Sequence, residues 1–363
     1  MGLGSCCPEE VRLGAAQTAR GRALDLSIFL ILLQDGVVNG AIYALLALSM
    51  VLVFAVTRVI FIPQGELVAY GALTYAALDA GMLPGSLWLL CGLGSAAAAV
   101  GIWRAPESYR RVLLSCVGLP AAVTALTWLL APRHPGVVVE ALLTLAIVAP
   151  MGPYLYAVAF QPLASASVLV LLIAAVGVHL AMLGIGLVLF GPEGFRATGF
   201  SDAVLELGAL RMPGQALWIV GLTLGLMLGL FAFFRFSLLG KALRATAVNR
   251  LGARLVGIGT AQSGALAFAL AGGVGALSGV LVAPLTTVYY DSGFLIGLKG
   301  FTAAIIGGLA SYPAAALAAV LVGVIESFSS FYASAFKEVI VSVAIIPVLL
   351  WRSLARPAED EEE

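Results

Sequence analysis

Apolar residues run in long unbroken stretches along nearly the whole chain, at roughly 28–56, 59–80, 86–103, 112–131, 137–160, 166–191, 215–234, 261–283, 296–310, 313–331 and 337–352. About 18 or more apolar residues suffice to cross a hydrocarbon core of about 30 Å. The stretches are continuous and do not alternate with period two, which selects helices over a transmembrane barrel. The pattern therefore predicts an all-α fold, a polytopic transmembrane helical bundle of about 9–11 spans. The segments at 86–103 and 296–310 are short or rich in small residues and are the candidates for broken or re-entrant helices.

Polar residues mark the organisation of the rest. Residues 1–26 are mixed and polar without an apolar core segment and read as a tail, not a signal peptide. Residues 27–352 form the transmembrane domain, and 353–363 an acidic tail. Composition sharpens this picture: only 10% of the 363 residues are charged, against about 25% in soluble domains, too few to clothe a water-facing surface. The net charge of zero hides a local sorting, because no acidic residue lies between Glu206 and Asp291 while Arg211, Arg235, Lys241, Arg244, Arg250 and Arg254 fall there. A basic loop marks the cytoplasmic side. The loop with Arg104, Arg110 and Arg111 falls on the same side, as do Arg352 and Arg356, while Arg12, Arg20 and Arg22 fall on the opposite side, against the rule. No arginine–aromatic interleaving points to nucleic acid. Four cysteines, two of them in apolar segments and two adjacent, predict no disulfide framework.

Glycines spaced by four, Gly36 and Gly40, Gly221 with Gly225 and Gly229, and Gly275 with Gly279, allow close helix approach. Three segments carry candidate chemistry. Pro63-Gln64-Gly65-Glu66 places a carboxylate where membrane insertion costs about 2.5–3.5 kcal/mol. Either a break at Pro63 and Gly65 turns Gln64 and Glu66 toward a polar cavity or another helix end, or Glu66 is hydrated at the interface beside Arg58. Within residues 237–258, Lys241 and Arg244 share one helical face and Arg250 and Arg254 another, beside leucines and alanines. Short amphipathic helices of this kind rest on lipid or dock a soluble partner, and periodicity does not choose. Lys299, with Thr302 and Asp291 nearby in sequence, either snorkels to an interface or faces an inner cavity. His179, Glu326, Lys337 and Glu338 form no spacing tied to chemistry, and His179 reads as a hydrogen-bonded bundle residue.

Five ordered elements carry a resemblance: Asn39-Gly40 through Tyr43 to Leu48; Pro63 to Glu66; Phe160-Gln161-Pro162-Leu163; Gly240 to Asn249 with Gly257-Ile258; and Gly297 to Gly308. In this order the chain resembles the LivH-type permease subunits of branched-chain amino acid ABC importers. The resemblance implies that Gly240, Lys241, Arg244, Ala245, Asn249, Arg250, Arg254 and Gly257 belong to a coupling element docking on an ATPase. It also implies that Asn39, Tyr43, Gln64, Glu66, Lys299 and Thr302 serve a translocation path. Residues near 100–140 look like an extra helical hairpin relative to that family. The chain has no G-x-x-x-x-G-K-[ST] loop, nor a convergent nucleophile and base, so no enzyme is expected. The resemblance implies ATP and Mg on two partner ATPase subunits and no cofactor on this chain. It further implies a homologous second permease subunit, a periplasmic solute-binding protein, a place in the bacterial inner membrane, and a small amino acid or amide as solute. An ion-coupled secondary transporter using Glu66 is the alternative.

Overall fold

The computed structural model describes residues 8–104, 107, 109–201, 203–207, 210–309 and 311–355. It is a helical bundle. Helix α1 spans Pro8–Thr57, α2 Gln64–Asp79, α3 Ser86–Arg104, and α4 Tyr109–Leu113 continues through a π-helical stretch into α5, Leu119–Leu130. Next come α6, Val137–Val148, α7, Met151–Leu155, and α8, Val168–Phe190. A hairpin of β1, Val204–Leu207, and β2, Leu210–Pro213, pairs Leu205 with Met212 and leads into α9, Gly214–Phe236. The chain continues with α10, Leu238–Val248, α11, Arg250–Leu255, α12, Thr260–Val282, α13, Ser292–Ile306, α14, Tyr312–Tyr332, α15, Lys337–Val343, and α16, Ile345–Ala355. Among the described residues, nine helical segments are long and apolar enough to cross a membrane. The protein is a multi-pass membrane protein.

The ends of the bundle are defined by what meets there. At one end, Leu243 of α10 packs with Leu52 and Val56 of α1, Phe234 of α9 and Ala267 of α12. Gln161 and Pro162 share a cavity with Arg250 and Arg254 at the same end. At the other end, Thr198 donates from its backbone and its hydroxyl to Asp79 at 2.8 and 2.9 Å, and Phe195 pairs with Val288. Arg58, Lys241, Arg244, Arg250 and Arg254 gather at the first end, which is the cytoplasmic one by the positive-inside rule. Helix α1 enters from the far end and runs on N-terminally to Pro8, so it is helical through most of the stretch expected as a tail. Residues 1–7 and most of the acidic segment 353–363 lie outside the described residues.

The expectation of short helices at 86–103 and 296–310 is half right. The first is a full 19-residue helix, α3, and the second is α13 with 15 residues. Helix α2, of 16 residues, is also short, although the hydropathy pattern extends it to a whole span at 59–80. At 1.5 Å per residue α2 and α13 are about 24 and 22 Å long, short of a 30 Å core. The shortening of α2 has a cause in the sequence: Pro63, at its N-cap, follows a non-helical turn in which Arg58 takes a left-handed φ of 62°, so the apolar run of 59–62 is not helix.

Small residues set the packing. Helices α1 and α14 are antiparallel, and a Cβ on Gly36 would stand 2.6 Å from the Val324 Cα, on Gly40 2.7 Å from the Val320 Cα. A Cβ on Gly275 would press on Leu67. These two glycine pairs are helix contacts, whereas Gly221, Gly225 and Gly229 have nothing within 4 Å and face outward from α9. Such approach matters because lipid tails are as apolar as leucine, leaving close backbone packing to hold the helices. The Tyr109–Arg133 span sits peripherally against α3 and α6, with few of its residues buried.

Candidate functional site

Helices α2 and α13 begin inside the bundle and meet near their N-termini. Gln64 Nε2 donates to the carbonyl of Ala271, in the middle of α12, at 3.0 Å. The ring of Phe294, in the first turn of α13, lies tilted at 5.1 Å from that of His179, at the centre of α8. Gly65 lies so close to Gly293 and Gly297 that a Cβ would collide with the Gly293 carbonyl. From this crossing α2 runs to the far end and α13 toward the basic end.

Glu66 sits at the crossing and is fully buried, so the hydrated interfacial position beside Arg58 is excluded. A Cβ placed on Gly293 would stand 2.9 Å from Glu66 Oε2, which puts the carboxylate at the opening turn of α13 as well as in the first turn of α2. Helix N-termini carry partial positive charge and favour an anion. His179 Nδ1 lies 3.1 Å from Glu66 Oε1, within ion-pair reach, yet no hydrogen bond of good geometry forms at either Glu66 oxygen or at this nitrogen. The contact is therefore one of proximity. A directed bond nearby is that of the Tyr70 hydroxyl to the Met182 carbonyl at 2.5 Å, which also ties α2 to α8.

A second polar group lies on the far side of the bundle's centre. The Lys299 Nζ of α13 is 2.5 Å from Glu326 Oε1 of α14 and 3.1 Å from Glu338 Oε1 of α15. The Tyr43 hydroxyl of α1 donates to the other Glu326 oxygen at 2.5 Å, and Lys299 stands 5.8 Å from the Tyr43 ring. Lys299 does not snorkel: it is 8% exposed and held between two carboxylates. These residues line a cavity of about 690 Å³ together with Asn39, Asp35 and Lys337. Its walls come from the far-end halves of α1 and α14 and from Leu285 to Thr287 just after α12. Three acids face two lysines there, so the cavity pairs both signs of charge within a space of ligand size.

The residues expected on a translocation path thus divide. Asn39, Tyr43 and Lys299 share the cavity. Gln64 and Glu66 are buried at the helix crossing, apart from it, and the Thr302 hydroxyl donates back to the Leu298 carbonyl of its own helix at 2.8 Å. The sequence reading missed Glu326 and Glu338 as partners of Lys299, since they lie 27 and 39 residues away on separate helices. The available signal was a carboxylate inside an otherwise apolar 21-residue helix, which the cost of burial makes conspicuous.

The basic segment folds as two short helices. The Ser237 hydroxyl caps α10 by accepting from Gly240 N at 2.9 Å, and Asn249 Oδ1 caps α11 by accepting from Gly252 N at 2.8 Å. Gly240 is required by the turn from α9, where a Cβ would collide with the Phe233 carbonyl. Gly257 takes φ +84°, the left-handed conformation natural to glycine, after α11. Leu243 and Thr246 anchor α10, the latter through a 3.1 Å bond to Ser263 of α12. Arg254 Nε donates to Thr260 Oγ1 at 3.1 Å, while Lys241, Arg244 and Ala245 are exposed and Arg250 is half-buried. Leu238, Val248, Leu251, Leu255 and Val256 are each at least 69% exposed, an apolar set left uncovered by the described residues.

Sequence comparison agrees with this architecture. Residues 32–350 match the family described as branched-chain amino acid transport system / permease component. The chain is 28% identical to the high-affinity branched-chain amino acid transport system permease protein LivH of Salmonella typhimurium, over 89% of this chain and 94% of that relative. It is 27% identical to its Escherichia coli K12 counterpart over the same shares, and 31% identical to BraD of Pseudomonas aeruginosa over 55% of this chain and 68% of that protein. No solved structure matches. From matched span, bundle and motifs together, the chain belongs to the branched-chain amino acid transport permease family and is a transmembrane permease subunit.

Proposed function

We propose that this chain forms half of the translocation path of an ABC importer in a bacterial inner membrane, pairing with a homologous second permease subunit. Two ABC ATPase subunits, holding ATP and Mg, dock on α10 and α11. A periplasmic binding protein delivers the solute at the far end, a branched-chain or other small amino acid or amide. The observation that carries this reading is the pair of capped amphipathic helices at the basic end, rigidly fixed to α9 and α12 but presenting uncovered leucines beside Lys241 and Arg250. Apolar anchors on a short helix fit a groove in a partner, and an exposed cluster of this kind marks an interaction surface. Anchoring through Leu243 and Thr246 gives a pull on α10 a direct route into α1 and α12.

The cavity around Lys299 supports passage of a zwitterion. An ammonium group can replace Lys299 at Glu326 or Glu338, and a carboxylate can take the lysine, so that opening the ion pairs is offset by the solute's own charges. Alternating access then follows if ATP binding to the partners and solute binding to the cavity each favour one of two packings. The test is co-purification of an ATPase subunit with the tagged chain from its native membrane, compared with Leu251→Asp and Leu255→Asp variants. Loss of the ATPase from the variants is expected, and its undiminished recovery would contradict docking at α11.

A second reading, an ion-coupled transporter working through Glu66, draws on one observation, the buried carboxylate without a directed bond. Transport by the chain alone in the absence of ATP, abolished in Glu66→Gln, would select it.

A further inference from the structure

At the basic end, α1, α9, α12 and α14 enclose a second cavity of about 510 Å³. Its walls are aliphatic and aromatic, with Leu52, Leu228, Phe231 and Phe234 among them, and its polar groups gather at one end as Arg244 of α10 and Tyr312 of α14. The Ser49 hydroxyl, which also borders it, donates its proton to the Leu46 carbonyl at 2.7 Å. Such a slot offers water few partners, while the volume is that of a pocket for an organic ligand.

Two further features say what kind of molecule fits. The slot is open sideways: Leu228 and Phe231 of α9 are 67% and 59% exposed and little of this apolar span is buried, so the slot opens on the outer face of the bundle along a membrane-spanning helix. Its mouth carries an exposed arginine without a carboxylate partner among the described residues, in a stretch where residues 207–290 contain no acid at all. Phe234 stacks on Tyr312 at 5.6 Å beside that mouth, placing an amphipathic ring at the level of the headgroups. An apolar slot reached from within the bilayer, with one unpaired cation where its headgroup layer begins, matches a phospholipid by both shape and charge.

We propose that this slot binds an anionic phospholipid of the leaflet on the α10 side, one acyl chain between α9 and α1 and the phosphate on Arg244. Basic pockets between membrane helices hold anionic headgroups in this way. Arg244 is then a lipid contact, distinct in role from the ATPase-facing Leu251 and Leu255. The bound chain fills the space between α9 and the bundle and touches Leu52 and Phe234, which also seat Leu243 of the coupling helix.

The test is native mass spectrometry of the purified full-length chain given equal amounts of phosphatidylglycerol and phosphatidylcholine with the same acyl chains. Phosphatidylglycerol adducts are expected to exceed phosphatidylcholine adducts by about fivefold, the effect of one cation near a headgroup. Arg244→Ala is expected to bring the two lipids level and Arg244→Lys to keep most of the difference. Leu228→Trp, which fills the slot at an exposed position and leaves Arg244 in place, is expected to reduce adducts of both lipids. Equal retention of both lipids by the wild-type chain would overturn the proposal. So would an unchanged lipid ratio in Arg244→Ala, because the arginine would then not hold the headgroup.

Discussion

Glu326 and Glu66 are both buried in the membrane-spanning part of the chain, yet their surroundings differ in kind. Glu326 has each oxygen matched at 2.5 Å, one by the Lys299 ammonium and one by the Tyr43 hydroxyl, and it faces a cavity. Glu66 has no directed bond on either oxygen and lies in a closed crossing of two helix starts. The first is a charge held by countercharge. The second is held by the broken backbone around it, and its place depends on glycines rather than on ionic partners.

Variants can break this contrast. Lys299→Met strands Glu326 and Glu338 together without their cation, and removal of one member of a buried ion pair costs about 3–5 kcal/mol. A matching fall in thermal stability of the detergent-purified chain is expected, with much of it recovered in the Lys299→Met/Glu326→Gln double variant. Gly65→Ala comes next, because a single methyl meets the Gly293 carbonyl and forces the crossing apart. A loss of about 1–3 kcal/mol is expected for such overpacking. The same change at Gly221, which has nothing within 4 Å, stays within about 0.5 kcal/mol. Asn249→Ala removes the cap of α11 and costs about 1 kcal/mol, read most directly as faster amide exchange at Gly252. Among the changes at packed or capped positions Glu66→Gln is expected to be the mildest, giving up chiefly the attraction of a helix terminus, about 0.3–1 kcal/mol. A cost equal to that of Lys299→Met would show that Glu66 is held by a countercharge after all.

Much of the bundle is legible in hydropathy, because covering about 30 Å of hydrocarbon leaves little freedom in how a span is written. The caps at Ser237 and Asn249 and the left-handed Gly257 are local matters that residue type alone suggests. The length of α2 is harder to read, since Val59 to Ile62 are as apolar as a helix but form the turn before Pro63. The ion pairs of Lys299 were beyond reach for another reason: their partners sit on α14 and α15, and only the packing of Gly36 and Gly40 against α14 brings Tyr43 and Glu326 to one place. Likewise, nothing in the run Gly221-Gly225-Gly229 distinguishes an outward glycine stripe from the buried pair at Gly275 and Gly279.

The most direct measurement is accumulation of radiolabelled leucine in proteoliposomes carrying this chain, with or without its co-purified permease and ATPase partners and binding protein. Uptake against a gradient is expected only in the complete, ATP-supplied vesicles, and to disappear when Leu251→Asp prevents docking at α11. Accumulation by the chain alone, without nucleotide, would contradict a permease driven through α10 and α11.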